Sequence, residues 1–198
     1  MGLLPLFILC LANNEIYKSM IMEEQVVLVN EMDEETGTME KMEAHQKALL
    51  HRAFSVFIFN SKGAMLLQQR AKRKYHSAGL WTNACCSHPR PGEDTEAAAH
   101  RRLQEEMGFS TPLKKIFSFT YKADFDNGLS EHEYDHVFSG VYENGIKPNG
   151  DEVSDYCFMS MKDIKKSLQS HPQKYTEWFK IAFNKIESYQ SLQAEQLQ

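Results

Sequence analysis

The sequence predicts an α/β domain, a mixed β-sheet flanked by helices, and three observations carry that expectation. Short apolar runs of strand length alternate with segments of helical period. The chain has 198 residues, about the length of one domain with its own core. Its composition, 42% hydrophobic and 25% charged, is that of an ordinary globule and excludes collagen-like, disordered and polytopic membrane classes.

Taken in order, residues 3–12 (LLPLFILCLA) form an apolar run about as long as a signal-peptide core. A bilayer span needs about 20 residues, so stable membrane insertion is not expected. No basic leader precedes the run, so residues 1–22 are read as an N-terminal extension, with export as the alternative. Residues 26–30, 53–60 and 64–69 read as strands, the last two joined by a turn at Ser61-Lys62-Gly63. Residues 95–107 read as a helix: Asp94 or Thr95 caps it, Ala99, Leu103 and Met107 share a face, and Gly108 stops it. Strands follow at 116–121, 131–142 and 153–159, and helices at 161–169 and 174–188. The domain is expected over 23–186, with a polar tail over 187–198.

With 22 basic against 27 acidic residues, the net charge of −5 offers no field for a nucleic-acid backbone. Any anion must be held by a local cluster. Cys10, Cys85, Cys86 and Cys157 show no Cys-x-x-Cys or disulfide-rich spacing, which points to reduced thiols and a cytoplasmic protein.

Three segments carry unusual chemistry. His45 and His51 precede the second expected strand in a polar stretch where surface histidines are common. Thr82-Asn83-Ala84-Cys85-Cys86-Ser87-His88-Pro89 holds two thiols, either of which can serve as a small buried apolar side chain. In Glu131-His132-Glu133, alternation puts Glu131 and Glu133 on one face with Asp135 next along it. Like charges on a sheet face repel, and solvation or a shared cation would each relieve that. Together His45, His51, His88, Glu131 and Glu133 make a donor set suited to zinc or manganese rather than magnesium, if the fold brings them together.

The helix after Gly92 offers the i,i+4 pairs Arg101 with Glu105 and Arg102 with Glu106. On a solvated face these are worth only about 0.3–0.5 kcal/mol each. Aligned as Ser87-x5-Glu93-x7-Arg101-Arg102-Leu103-x-Glu105-Glu106-x-Gly108-Phe109, the segment resembles a degraded Nudix box, Gly-x5-Glu-x7-Arg-Glu-U-x-Glu-Glu-x-Gly-U, where U is a bulky aliphatic residue. Ser87 replaces the opening glycine and Arg102 replaces the glutamate after the arginine. A cation there would repel a hydrolase's metal cluster. The resemblance therefore implies a Nudix-like sheet and argues against diphosphate hydrolysis, which remains the alternative activity.

Within that superfamily the sequence is similar to the type 1 isopentenyl-diphosphate Δ-isomerases over residues 24–183. The segments that carry the likeness are Leu50-His51-Arg52-Ala53-Phe54-Ser55, Leu67-Gln68-Gln69-Arg70, Trp81-Thr82-Asn83-x-Cys85-Cys86-Ser87-His88-Pro89, Glu131-His132-Glu133 and Trp178-Phe179. The resemblance implies a small isoprenoid diphosphate substrate and a 1,3-allylic proton transfer. It implies Cys86 and Glu133 as the opposed proton-transfer pair, Tyr121 as a hydrogen-bonding phenol, and Trp178 as a π-face toward a carbocation. It implies Lys41, Arg70, Lys74, Ser87 and Arg102 around the diphosphate, with Mg2+ held by Glu106 and the Cys86 carbonyl. A further divalent ion, Zn2+ or Mn2+, is implied at the histidine and glutamate set.

Overall fold

Strand β3 (His51–Phe59) organises the sheet, and its sequence HRAFSVFIF explains why: every residue but Arg52 is buried, as in a strand covered on both faces. The computed structural model describes residues 24–74, 76–125 and 128–195, so the apolar run at 3–12 lies outside the described residues. Along one edge β3 runs parallel to β8 (Ser130–Val141), from His51 opposite Glu133 to Phe59 opposite Val141. Along its other edge it meets β1 (Gln25–Val29), β6 (Cys85–Ser87) and β4 (Met65–Arg70) in turn, all antiparallel. Strand β2 (Glu35–Glu40) pairs with β1, β7 (Lys114–Asp124) with β8, and both β5 (Trp81–Thr82) and β9 (Val153–Met159) with β4.

Alternation along β3 divides its side chains between two cores. Phe54, Val56 and Ile58 pack with Leu103 and Met107 of α2 (Thr95–Met107). Phe57 and Phe59 pack with Ile164 of α3 (Met161–Ser170) and with Phe179 and Phe183 of α4 (Glu177–Glu195). Burying each such side chain contributes about 1.5–3 kcal/mol. The mixed sheet with flanking helices is the architecture expected of the sequence. Among the described residues, no helix is long and apolar enough to cross a membrane.

Helix α2 has its expected ends. The Asp94 side chain accepts from the Ala97 N–H, and Gly108 caps the other end at φ +74°. The Lys147 and Asn149 N–H groups donate to the Met107 and Glu106 carbonyls, docking a loop onto that end. A Cβ at position 108 would stand 2.2 Å from the Lys147 carbonyl oxygen. Gly108→Ala is therefore expected to cost about 2 kcal/mol or more, from left-handed strain of about 1–2 kcal/mol and the displaced loop. A denaturation midpoint equal to that of the parent protein would overturn this.

Five elements differ from expectation. Residues 35–46 form β2 and a short helix, α1 (Lys41–Gln46), whose first turn is capped by the Glu40 carboxylate accepting from Met42 and Glu43 N–H. Six residues are too few to display a helical period. Strands β5 and β6 exist because β4 and β3 pair with them rather than through a pattern of their own. The last helix begins at Glu177, after a 3-10 turn at Pro172–Lys174, and runs to Glu195 rather than ending at 188.

Candidate active site

Helix α1 and strand β3 bring the histidines together. Lys41 and His45 share a face of α1 at i,i+4 spacing, His51 opens β3, and His88 follows β6. His45, His51, His88 and Glu133, all buried, each bring one donor atom within 4.8 Å of the others. The Nδ1–H of His45 donates to the Lys41 carbonyl at 2.6 Å, and that of His51 to the Leu49 carbonyl at 2.8 Å. A carbonyl only accepts, so in the tautomer these bonds select each ring turns a bare Nε2 away from the carbonyl. His51 Nε2 lies 3.2 Å from His88 Nε2 and 3.7 Å from Glu133 Oε1, while His88 Nε2 lies 3.0 Å from that oxygen. Donors about 2.0–2.1 Å from a tetrahedral zinc-like ion sit roughly 3.4 Å apart, so the four residues fit a divalent cation. Burial pushes His45 below the usual imidazole range and His88 to about 4, favouring the neutral form that binds metal.

Glu131, the fifth expected ligand, is not one of those four. The Tyr121 hydroxyl lies 2.7 Å from Glu133 Oε2 and 3.0 Å from Glu131 Oε2. One phenolic hydrogen cannot serve both oxygens, so the phenol donates to one and accepts from the other. Burial and then Glu133 push Glu131 above the usual carboxylate range. Burial opposes ionisation of Glu133, but the adjoining His51 and His88 imidazoles overcome it and hold that carboxyl well below the range. Glu131 as donor, Tyr121 as relay and Glu133 as acceptor satisfy all three groups.

Cys86 stands opposite Ser55 of β3. The Asn83 amide donates to the Val56 and Cys85 carbonyls, which turns its oxygen toward Cys86, and the Cys86 thiol donates to it at 2.9 Å. The Ser55 hydroxyl donates to Asp135 Oδ2 at 2.8 Å and lies 3.7 Å from the sulfur. Burial and then Asp135 push the Cys86 thiol upward, so it keeps its proton at neutral pH. Cys85 faces away, fully buried in the core under α2. Strands β6 and β8 flank β3 on opposite edges, so Cys86 and Glu133 reach the site from different sides.

Both line one cavity of about 210 Å³, smaller than the roughly 300–1,000 Å³ typical of drug-sized ligands. Lys41, Arg70, Lys74, Ser87, Arg102, Glu106, Tyr121, Glu131 and Trp178 line it too, with His45 and His88. Of the expected side chains only His51 stands behind the wall. The Arg70 guanidinium sits 5.1 Å from the Trp178 ring centroid, within the cation–π range of about 6 Å. Arg102 is only 19% exposed, so it faces the cavity rather than solvent, and it lies 2.7 Å from Glu106 Oε1 and 3.5 Å from Glu152 Oε1. Glu106 also accepts from the Gln68 amide at 3.0 Å.

Sequence reasoning misses four lining residues, of which Ser55 has been described above. Glu24 pairs with Lys41 at 2.9 Å and Glu152 with Lys74, across 17 and 78 residues of chain, so no local spacing signals them. His76 is the last, its imidazole pushed down to about 3 by burial and then by Arg70.

A family model described as NUDIX domain matches residues 49–179. The isopentenyl-diphosphate Delta-isomerase of Pectobacterium atrosepticum is 52% identical over 173 residues, covering 87% of this chain and 97% of its own. The chain belongs to the type 1 isopentenyl-diphosphate Δ-isomerases of the Nudix superfamily. Isopentenyl-diphosphate Delta-isomerase 2 of Photorhabdus laumondii is 53% identical over 172 residues, again covering 87% and 97%. Solved structures extend the likeness in fold alone. DR0079 from Deinococcus radiodurans has a TM-score of 0.63 at 17% identity, covering 75% of this chain and 90% of its own. A MutT protein from Methanosarcina mazei Go1 has a TM-score of 0.58 at 19% identity, covering 70% and 94%. The isomerase family thus keeps a scaffold it shares with distant proteins, and the chemistry must be argued from the cavity.

Proposed function

We propose that this enzyme interconverts isopentenyl and dimethylallyl diphosphate by 1,3-allylic proton transfer. One observation carries the reading: a thiol that keeps its proton, a carboxylate that loses its proton and an aromatic face that holds a cation all line one small cavity. Shifting the double bond requires a proton added at the terminal carbon and another removed two carbons away. Cys86 and Glu133 perform these two operations, one delivering while the other accepts, and they exchange roles when the reaction runs backwards. A tertiary carbocation develops between the steps. The Trp178 face stabilises it by about 2 kcal/mol or more when water is excluded.

The remaining residues bind and orient. Tyr121 anchors Glu133 Oε2 and so aims the carboxylate. Lys41, Arg70, Lys74, Arg102 and Ser87 hold the diphosphate, and Glu106 with the Cys86 carbonyl would hold Mg2+ beside it. His45, His51, His88 and Glu133, supported by Glu131, would hold Zn2+ or Mn2+, which when bound withdraws charge from the carboxylate and fixes its orientation.

Hydrolysis is the competing reading, and Arg102 weighs against it, because its guanidinium lies among Glu105, Glu106 and Glu152 where a hydrolase needs metal. Incubating the pure protein with isopentenyl diphosphate and Mg2+ tests the two. Dimethylallyl diphosphate as product supports isomerisation; released orthophosphate or isopentenyl monophosphate in its place overturns it.

The metal assignment has its own test. Loss of a mere second-layer partner weakens metal binding by about 10–100-fold, so His51→Ala and His88→Ala should each weaken it further. Elemental analysis after dialysis should find depleted transition-type metal in both variants. Undiminished content in both would reject the site.

A further inference from the structure

His76 lines the cavity, is 9% exposed, and has no part in the roles assigned above. Its ring stacks on Phe125 with centroids 5.1 Å apart and meets the Trp178 ring edge-on at 5.7 Å. Its carbonyl accepts from Arg70 at 3.3 Å, and its Nε2 stands 3.8 Å from Glu131 Oε1. Lys74 and Arg102 gather about Glu152, whereas His76, Phe125 and Trp178 gather about one another. The cavity therefore has a charged anchor about Glu152 and an aromatic wall of His76 and Trp178, with Phe125 behind His76 and Arg70 bridging the two ends.

We propose that His76 is a specificity-determining residue whose imidazole, wedged between Phe125 and Trp178, forms the wall that limits the substrate's hydrocarbon to a five-carbon unit. The inference rests on the isomerase reading above. With the diphosphate held at the cationic group, the room left for carbon is set by the first side chain that fills the aromatic end. In a cavity of about 210 Å³, the volume of one imidazole is a substantial fraction of that room. Shortening the side chain to a methyl group vacates space beside Trp178 and removes no cation from the anchor.

The test compares isopentenyl diphosphate with a homologue bearing one more methylene on the branched carbon. The quantity read is the ratio of their kcat/KM values in the parent enzyme and in His76→Ala, His76→Val and His76→Phe. A methylene that fits or fails to fit an apolar pocket changes kcat/KM by about 10–200-fold, so the ratio should shift toward the homologue by about tenfold or more in His76→Ala. His76→Val should shift it less, and His76→Phe, which refills the wall, should leave it near the parent value. The inhibition constant of inorganic pyrophosphate should be the same in all four proteins.

A purely structural role for His76 would lower both activities together and leave the ratio unmoved in His76→Ala and His76→Val, which overturns the inference. An equal shift in His76→Phe overturns it as well. His76→Val keeps a branched apolar side chain against Phe125, so it carries the test alone if the alanine variant does not fold. A parent enzyme that fails to isomerise isopentenyl diphosphate removes the isomerase reading itself, a result distinct from an unmoved ratio.

Discussion

Cys86→Ala and Glu133→Gln are each expected to lower turnover of isopentenyl diphosphate by about 10²–10⁴-fold, the usual contribution of a positioned acid or base. An acid without its opposing base leaves the carbocation no exit except back to substrate. The two variants should differ in one respect. Glu133 is also one of the four converging donors, so Glu133→Gln should lose metal as well as activity. Cys86 brings no side-chain donor to that group, and Cys86→Ala should keep its metal. Near-parental turnover in either variant would remove the proton-transfer pair. Cys85→Ala is the internal control: its thiol faces the α2 core, so turnover should persist. An inactive Cys85→Ala beside an active Cys86→Ala would mean that β6 presents the opposite face to the cavity.

Strands β3, β8 and β9 and helix α2 were legible because each carries its own signal. Continuous apolar content marks β3, alternation marks β8, and Asp94 with Gly108 bounds α2. Strands β5 and β6 carry none, since a two- or three-residue strand is defined by its partner's hydrogen bonds. The convergence of the histidines and glutamates depends on the parallel register of β3 with β8, which sets His51 beside Glu133. Spacing along the chain holds no trace of that register; the family resemblance supplied the grouping, and the four donors within 4.8 Å give it geometry. The counter-ions Glu24 and Glu152 lie outside every motif and are recognisable only from the lysines they meet in space. The histidines of the polar stretch are likewise not surface residues: His45 is 1% exposed and His51 wholly buried.

Arg102→Glu is expected to lower kcat/KM for isopentenyl diphosphate by about 10²-fold or more, with a raised KM wherever saturation is reached, because one charge-assisted hydrogen bond alone is worth about 1.5–3 kcal/mol. The guanidinium stands 2.8 Å from Glu105 Oε2, 2.7 Å from Glu106 Oε1 and 3.5 Å from Glu152 Oε1. A carboxylate in its place would remove an attraction for the diphosphate, add a repulsion, and leave those three acids facing a fourth. Arg102→Gln separates the effects, since it removes the attraction without adding the repulsion and should raise KM by a smaller factor. Hydrolysis need not appear in Arg102→Glu even though the Nudix-box glutamate is restored, because a hydrolase also needs a positioned water and a leaving-group pocket. An unchanged KM in Arg102→Glu would mean that this arginine serves only its neighbouring carboxylates, and anion binding would then fall to Lys41, Arg70 and Lys74.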